Sequence, residues 1–392
     1  MLMKKMTAVG LAVVMTLSMA ACGGNTGSET TKAETTAATS SETTAAGGET
    51  QAAGEAKEDK DPSGLTAAKY LTGEYTTLPA DGKTINLSLA HAGAENSDMQ
   101  LVVLAWKEAI EYYSDGKITF TVYPNGQMGS DSEMIASCMA GDLDIVIQSG
   151  STHLSYVPEA AMFDTPFLLA GYETEKIEEV IIDSEFRDMY NECNEKAGLK
   201  LLMLKVADSM NLTSNTAVYS LDDLKGLKIR TAQSESRMAF WSALGANPTP
   251  LPFSELYMAL QNGTVTAQDN AWFNAVTSGA GEQQKYMIPT QHMRPSMDTT
   301  MNKEKFDSLP AEYQSLMLEI AEAISRLDYA ISIEKEQGYY EQLQTEYNLE
   351  VCEVSDAFRE EMKTAAVGSI QAVHDSVNNE ALYAALEKCM NP

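Results

Sequence analysis

Residues Leu221–Asn270 read "LDDLKGLKIRTAQSESRMAFWSALGANPTPLPFSELYMALQNGTVTAQDN". Inside this block, "LKIRT" alternates Leu227 and Ile229 with Lys228 and Arg230, the period of two that a pleated strand imposes. Helical spacing follows in "SRMAFWSAL", then a loop in "GANPTP" around Asn247, helical spacing again in "SELYMALQN", and a strand-like "TVTAQ". Strand, helix and strand in such close succession predict parallel pairing and an α/β layer arrangement. The first strand also carries a cation. With Leu227 and Ile229 buried, Arg230 falls on the other face near the strand's carboxyl end, which in open α/β sheets faces the ligand crevice.

The same grammar runs upstream. "KTINLSLA" puts Ile85, Leu87 and Leu89 on one strand face, and Ser97 and Asp98 signal the start of the helical "DMQLVVLAWKEAIEYYS". "GKITFTVYPNGQ" reads as a second strand. In "SDSEMIASCMAGDLDIVIQSG" a capping box from Ser130 to Glu133 opens a helix that stops near Gly141, before a strand over Asp144–Gln148. Downstream of "SLP" at Ser308–Pro310, a helical pattern exceeds ordinary globular length; it is either one connecting helix or a helix that breaks near Gly338.

The formal net charge is −29, and 46 of the 56 acidic residues but 21 of the 27 basic ones follow Gly82. So acidic a body argues against nucleic acid or anionic lipid as partners. It also repels an anion at long range, so only a local cation such as Arg230 would hold one. The chain opens "MLMKKMTAVGLAVVMTLSMAAC", with Lys4 and Lys5, an apolar run and small residues before Cys22. That layout predicts a lipoprotein signal peptide over 1–21, lipidation of Cys22, and export to the outer face of the cytoplasmic membrane, periplasmic or at the cell surface. Residues 22–82, rich in Gly, Ser, Thr and Glu, lack the apolar side chains to offset ordering entropy and read as a disordered tether. Cys138, Cys193, Cys352 and Cys389 lack metal-motif spacing and read as buried thiols. No nucleophile elbow, phosphate-cradling loop or metal motif follows, so no catalytic residue, cofactor or metal is expected.

Two stretches together resemble the substrate-binding proteins of tripartite ATP-independent periplasmic (TRAP) transporters, the DctP-like family. They are "GKITFTVYPNGQMGSDSEMIASCMAGDLDI" with the "VPEAAMFDTPFLL" that follows, and the Leu221–Asn270 block, where "LKGLKIR", "GANPTP", "FSELYMALQNGTV" and "QDN" occur in order. The resemblance spans about Lys83 to the C-terminus. It implies a bilobal periplasmic-binding-protein (Venus flytrap) fold, two α/β lobes joined by crossing strands and a long helix. Lobe I would take 83–207 plus about 290–330, and lobe II 208–289 plus about 331–392. The implied role is an extracytoplasmic solute receptor, not an enzyme, that passes a small organic acid to the large and small membrane subunits of a TRAP transporter.

The resemblance further implies that Arg230 pairs with the ligand carboxylate, that Asn270 holds the same group, and that Phe253 stands at the cleft. A planar guanidinium suits a carboxylate because it offers two parallel N–H donors. His91, Gln148 and Ser149 sit where first-lobe strand ends meet the cleft in that family; Trp272 and Phe273 either wall the pocket or belong to the core. Some relatives carry a second arginine about twenty residues before the first, and here "SMNLTSN" puts Met210 there. With Arg230 the sole side-chain cation, a monocarboxylate with an apolar or hydroxylated remainder is expected over a dicarboxylate. Three alternatives stay open on sequence: the binding protein of an ATP-driven importer, the ligand-sensing module of a signalling receptor, and a secreted hydrolase using His292 or His153.

Overall fold

A computed structural model describes residues 71–206 and 208–391. The expected signal peptide over 1–21, the lipidation at Cys22 and most of the tether over 22–82 lie outside the described residues. The end of that tether stretch is packed: Thr76 donates from its backbone N and its Oγ1 to Glu319, and Tyr75 stacks edge-on against Tyr113. Tyr75 and Leu78 supply the apolar surface that the preceding low-complexity residues lack.

The strands run in chain order as β1 (Ile85–His91), β2 (Ile118–Tyr123), β3 (Ile145–Ser149), β4 (Leu199–Val206), β5 (Met210–Ser214) and β6 (Lys228–Thr231). There follow β7 (Asn247–Pro250), β8 (Ala267–Asn270), β9 (Tyr286–Met293), β10 (Ser296–Asn302) and β11 (Glu350–Val351). The longer helices are α1 (Asp98–Tyr113), α2 (Asp131–Ala140), α3 (Thr174–Ile182), α4 (Glu185–Lys196) and α5 (Glu235–Ala243). After them come α6 (Leu256–Gln261), α7 (Trp272–Thr277), α8 (Ala311–Thr345), α9 (Asp356–Val377) and α10 (Glu380–Met390).

Two sheets form. The first has the order β2-β1-β3-β10-β4, the second β11-β9-β5-β8-β6-β7. β1 lies parallel to β2 and β3, as strand–helix–strand succession requires, and β10 closes the sheet antiparallel to β3 and β4. In the second sheet β6 lies parallel to β7 and β8. The chain therefore crosses between sheets three times, after Val206, after Met293 and, through α8, between β10 and β11. Local signals fix the ends of the crossover helices: Ser97 caps α1 by accepting from Gln100 N, and Ser130 with Glu133 completes a capping box on α2, which Gly141 ends at φ 83°.

"GANPTP" is not a loop throughout. Residues Asn247–Pro250 pair with β6 from Lys228 to Thr231, and as the outermost strand β7 tolerates its prolines, whose missing N–H groups face no neighbour. The long helix is continuous: α8 has 35 residues and passes through Gly338, beside which nothing approaches within 4 Å of a would-be Cβ. Its first half buries Tyr313, Leu316, Ile320 and Ile324 with Trp106, Leu87 and Leu89 of the first lobe. Leu343 near its other end joins Trp272 and Met287 of the second. The second lobe's own core holds Leu212, Ile229, Phe240, Trp241 and Ile288, each such burial stabilising by roughly 1.5–3 kcal/mol. Residues 331–392 divide between the lobes. Phe358 and Met362 of α9 pack in the second-lobe core, whereas Val373, Val377 and the α10 face of Leu382, Leu386 and Met390 cover Ile181, Phe186 and Tyr190 beside β4. Cys138, Cys193 and Cys352 are buried and Cys389 partly so, all four unbridged.

Gly150 follows β3 where the chain turns under β10. A Cβ there would collide with Ser296 Oγ and come within 3.1 Å of the Ser296 carbonyl oxygen. Gly150→Ala should therefore lower stability by about 1–3 kcal/mol, read as a lower urea midpoint at unchanged slope; an unchanged midpoint would mean that β10 yields freely.

Candidate functional site

The carboxyl ends of β1, β3, β6 and β8 converge on a cavity of about 120 Å³ between the two lobes. From the first lobe it is lined by Gly93, Ser97, Asp131, Ser149 and Thr152, and from the second by Met210, Arg230, Arg237, Phe253, Asn270 and Phe273, among others.

Arg230 leaves β6 with only 3% of its surface exposed. Its Nε and Nη2 donate to one acceptor, the Leu251 carbonyl oxygen, at 3.0 and 2.7 Å. The Phe253 ring covers the guanidinium with its centroid 5.9 Å from the central carbon. Leu251 is placed by the strand pairing, since its N–H donates to Thr231 at the end of β6. Among the described residues no carboxylate forms an ion pair with Arg230. Burial lowers its pKa to about 10, with Asp269 and Asp131 opposing and Arg237 reinforcing the shift, so it stays cationic at neutral pH. The edge formed by Nη1 and the second N–H of Nη2 has no hydrogen-bond partner among the described residues.

A second guanidinium faces the same cavity, which corrects the expectation that Arg230 is the sole cation there. Arg237, in the first turn of α5, points Nε at Asp164 Oδ1 across 3.4 Å and Nη1 at Asp269 Oδ2 across 3.6 Å. Asp164 also accepts from Ser151 Oγ at 2.7 Å, Ser234 Oγ at 2.8 Å and Ser236 Oγ at 3.2 Å, tying the first lobe to the start of α5. Asp269 accepts from Trp241 Nε1 at 3.2 Å and faces His292 Nε2 at 3.6 Å. Burial pushes the Asp269 carboxyl up, but His292 and Arg237 bring it below its ordinary value, while burial holds His292 toward the neutral form. Sequence hid Arg237 because "SESR" at the start of a helix looks like any solvated first turn.

Asp131 is the first residue of α2. Its Oδ2 accepts from Ser149 N at 3.3 Å, and its Oδ1 is sealed from solvent with no hydrogen-bond partner. Burial raises its pKa to about 6 against the lowering effects of the Ser149 bond and Arg230.

Of the residues expected at the cleft, Arg230, Asn270, Phe253, Met210 and Ser149 line this cavity. Asn270 donates through Nδ2 to Gln268 Oε1 at 2.7 Å and accepts at Oδ1 from Asn274 Nδ2 at 3.0 Å. Met210, at the start of β5, packs with Ala271 and Met293. His91, Gln148 and Trp272 lie elsewhere. His91 shares its strand face with Leu87 and Leu89, so it points beneath α1, where Nε2 meets Gln100 Oε1 at 2.8 Å. Gln148 alternates away from Ile147 and Ser149, and its amide meets His153 Nδ1 at 3.0 Å. Trp272 turns toward α8 and packs edge-on against Tyr340 at 5.8 Å, while the next residue, Phe273, turns to the cavity. Among the described residues no cluster of three or more His, Cys, Asp or Glu is placed to hold a metal, and no helix is long and apolar enough to cross a membrane.

Residues 89–376 match the family described as bacterial extracellular solute-binding protein, family 7 (DctP). A solute-binding protein of Roseobacter denitrificans is 27% identical over 70% of this chain and 85% of its own length. The C4-dicarboxylate-binding periplasmic protein DctP of Rhodobacter capsulatus is 29% identical over 67% of this chain and 78% of its own. Among solved structures, the sugar acid binding protein DctPAm from Advenella mimigardefordensis, in complex with galactonate, is similar with a TM-score of 0.74 and 25% identity, covering 79% of this chain and 99% of that one. A TRAP periplasmic solute binding protein from Bradyrhizobium, in complex with galacturonate, gives a TM-score of 0.71 at 27% identity over 79% of this chain and 100% of its own.

Asp131 gives the empty protein a pH signature. Its carboxyl ionises near pH 6 when folded and near 3.8 when unfolded, so between those values the folded chain holds a proton that the unfolded chain has lost. Stability should fall as pH rises through that interval and stay lower above it. In Asp131→Asn the group cannot ionise, so the melting temperature of the variant relative to wild type should climb between about pH 4 and pH 6; a pH-independent difference would mean that Asp131 titrates as an ordinary carboxyl.

Proposed function

The chain belongs to the bacterial extracellular solute-binding proteins of family 7, and on that footing we propose that it captures a small hydroxylated monocarboxylic acid between its lobes and delivers it to a TRAP-type membrane transporter. The observation that carries this reading is Arg230, a buried cation whose inner edge is held by a neutral carbonyl and whose outer edge has no carboxylate of its own. The similar proteins solved with galactonate and galacturonate support a sugar acid or a close analogue. Hydroxyl-bearing ligands also suit Ser97, Ser149, Asn274 and Thr277 in the lining. A dicarboxylate fits less well. Asp131, Asp164 and Asp269 already outnumber Arg230 and Arg237, so a second ionised group would add to an excess of negative charge.

Binding is the whole of the activity in this reading. The acid touches Arg230 and Asn270 on one lobe and Ser149 and Asp131 on the other, so it favours the closed state over the open one, and only that difference in affinity shifts the equilibrium. The transporter's membrane subunits take the loaded form. Lipid on Cys22 would keep the receptor at the outer face of the membrane, as the "MAAC" run before and including it suggests.

A thermal-shift series with galactonate, L-gulonate, galacturonate and succinate tests the reading. At least one sugar acid should raise the melting temperature of the wild type in proportion to the logarithm of its concentration once in excess. In Arg230→Ala its affinity should drop by about 100-fold or more, as expected for removing one side of a desolvated charged pair. Equal shifts in variant and wild type would take Arg230 out of the site; no shift with any acid in the wild type would sink the carboxylate reading.

A further inference from the structure

We infer that Arg237 is the second cation of the ligand site, joining Arg230 on the same carboxylate. The inference rests on the carboxylate reading of the cavity and adds to it how the head group is held and what the remainder of the ligand must be.

Four observations carry it. First, Arg230 and Arg237 line one cavity, where burial and, to a lesser degree, the charge of Arg237 lower the Arg230 pKa against the opposing Asp269 and Asp131. Two like charges side by side away from water repel each other unless an anion lies between them. Second, neither guanidinium is saturated. Arg230 uses one edge on a carbonyl, and Arg237 reaches its two aspartates only through Nε and Nη1, at 3.4 and 3.6 Å, beyond the 2.7–2.9 Å of a close N–H to carboxylate bond. Its Nη2 has no partner among the described residues.

Third, Arg237 is positioned from behind. Asp164 is fixed by three serine hydroxyls and Asp269 by the Trp241 indole, so the guanidinium is held at the cavity wall before any ligand arrives, with little ordering left to do on binding. Fourth, Met210 lines the cavity and carries no charge, so the two arginines are the cations that the lining presents among the described residues.

Charge then defines the ligand class. Two guanidinium groups face three carboxylates, and His292 is held toward neutrality. One carboxylate shared by both arginines already adds to that excess of negative charge, so the rest of the ligand should be uncharged. Asp131, which lines the cavity, is placed to accept from a ligand hydroxyl. The ligand is an uncharged polyol or hydroxyalkyl chain ending in a single carboxylate.

A strut joining Asp164 to Asp269 would be the other role for Arg237, and the two roles differ in what they discriminate. Galactonate and its neutral analogue galactonamide, with succinate and succinamide beside them, are titrated by thermal shift against wild type, Arg237→Gln and Arg237→Lys. With Arg237 on the carboxylate, Arg237→Gln weakens the acid by about 10- to 100-fold, the scale of one hydrogen bond to a charged group. The amide changes by less than about threefold in the same variant, and Arg237→Lys recovers part of the acid's affinity. A strut would lower acid and amide together, or lower neither, and either result overturns the inference while leaving the carboxylate reading intact. Failure of all these acids to bind the wild type overturns both. Melting temperatures of the empty variants report whether the fold survives, and Arg237→Lys supplies the comparison if Arg237→Gln does not fold.

Discussion

A single carbonyl oxygen holds Arg230 in place at the wall of the cavity between the lobes. By accepting from both Nε and Nη2 of Arg230, Leu251 fixes the direction of the guanidinium without neutralising it. Had a carboxylate stood there instead, an incoming acid would compete with a built-in anion. A neutral acceptor satisfies the geometry of the buried cation and leaves its charge available. That arrangement depends on β7, the short edge strand whose parallel pairing with β6 carries the chain to Leu251 and on to Phe253. The prolines in "GANPTP" set that turn of the backbone at an edge, where a central strand could not have held them.

The acidity of the chain acts on a different length scale. At a net charge of −29, an approaching anion gains nothing from the protein as a whole, and at physiological salt exposed charges are screened beyond about 8 Å. Recognition therefore falls to contacts made once water has been expelled. Around the cavity the charges are arranged in alternation, Asp131 opposite Arg230 and Arg237 between Asp164 and Asp269. Such alternation keeps each buried charge within reach of an opposite one.

The α/β order, the caps of α1 and α2 and the strand bearing Arg230 were legible in the sequence because each is a local matter of period or start signal. Five of the eight ligand-site expectations fall on the cavity wall: Arg230, Asn270, Phe253, Met210 and Ser149. The three that do not, His91, Gln148 and Trp272, miss it through side-chain direction. A strand-end position says which residue arrives at the crevice, but the face it presents depends on whether its neighbours at i−2 and i−4 are core, as Leu87 and Leu89 are for His91. Arg237 and Asp131 were illegible for another reason. Both sit in the first turn of a helix, where a charged residue is ordinary, and only the approach of the opposite lobe turns that turn into an interior wall. Nor did composition reveal that α10 returns to cover α3 and α4, because its apolar face fits either lobe.

The unbroken α8 has a mechanical meaning. It is anchored to the first lobe by Tyr313 to Ile324 and to the second by Leu343, and midway Lys335 and Tyr339 both grip Asp98 at the start of α1. Two bodies riveted to one beam of about 50 Å do not swivel freely. Any change in their angle would have to be taken up along this one continuous helix. Gly338, with open space beside it, is the point on the beam where no side chain packs.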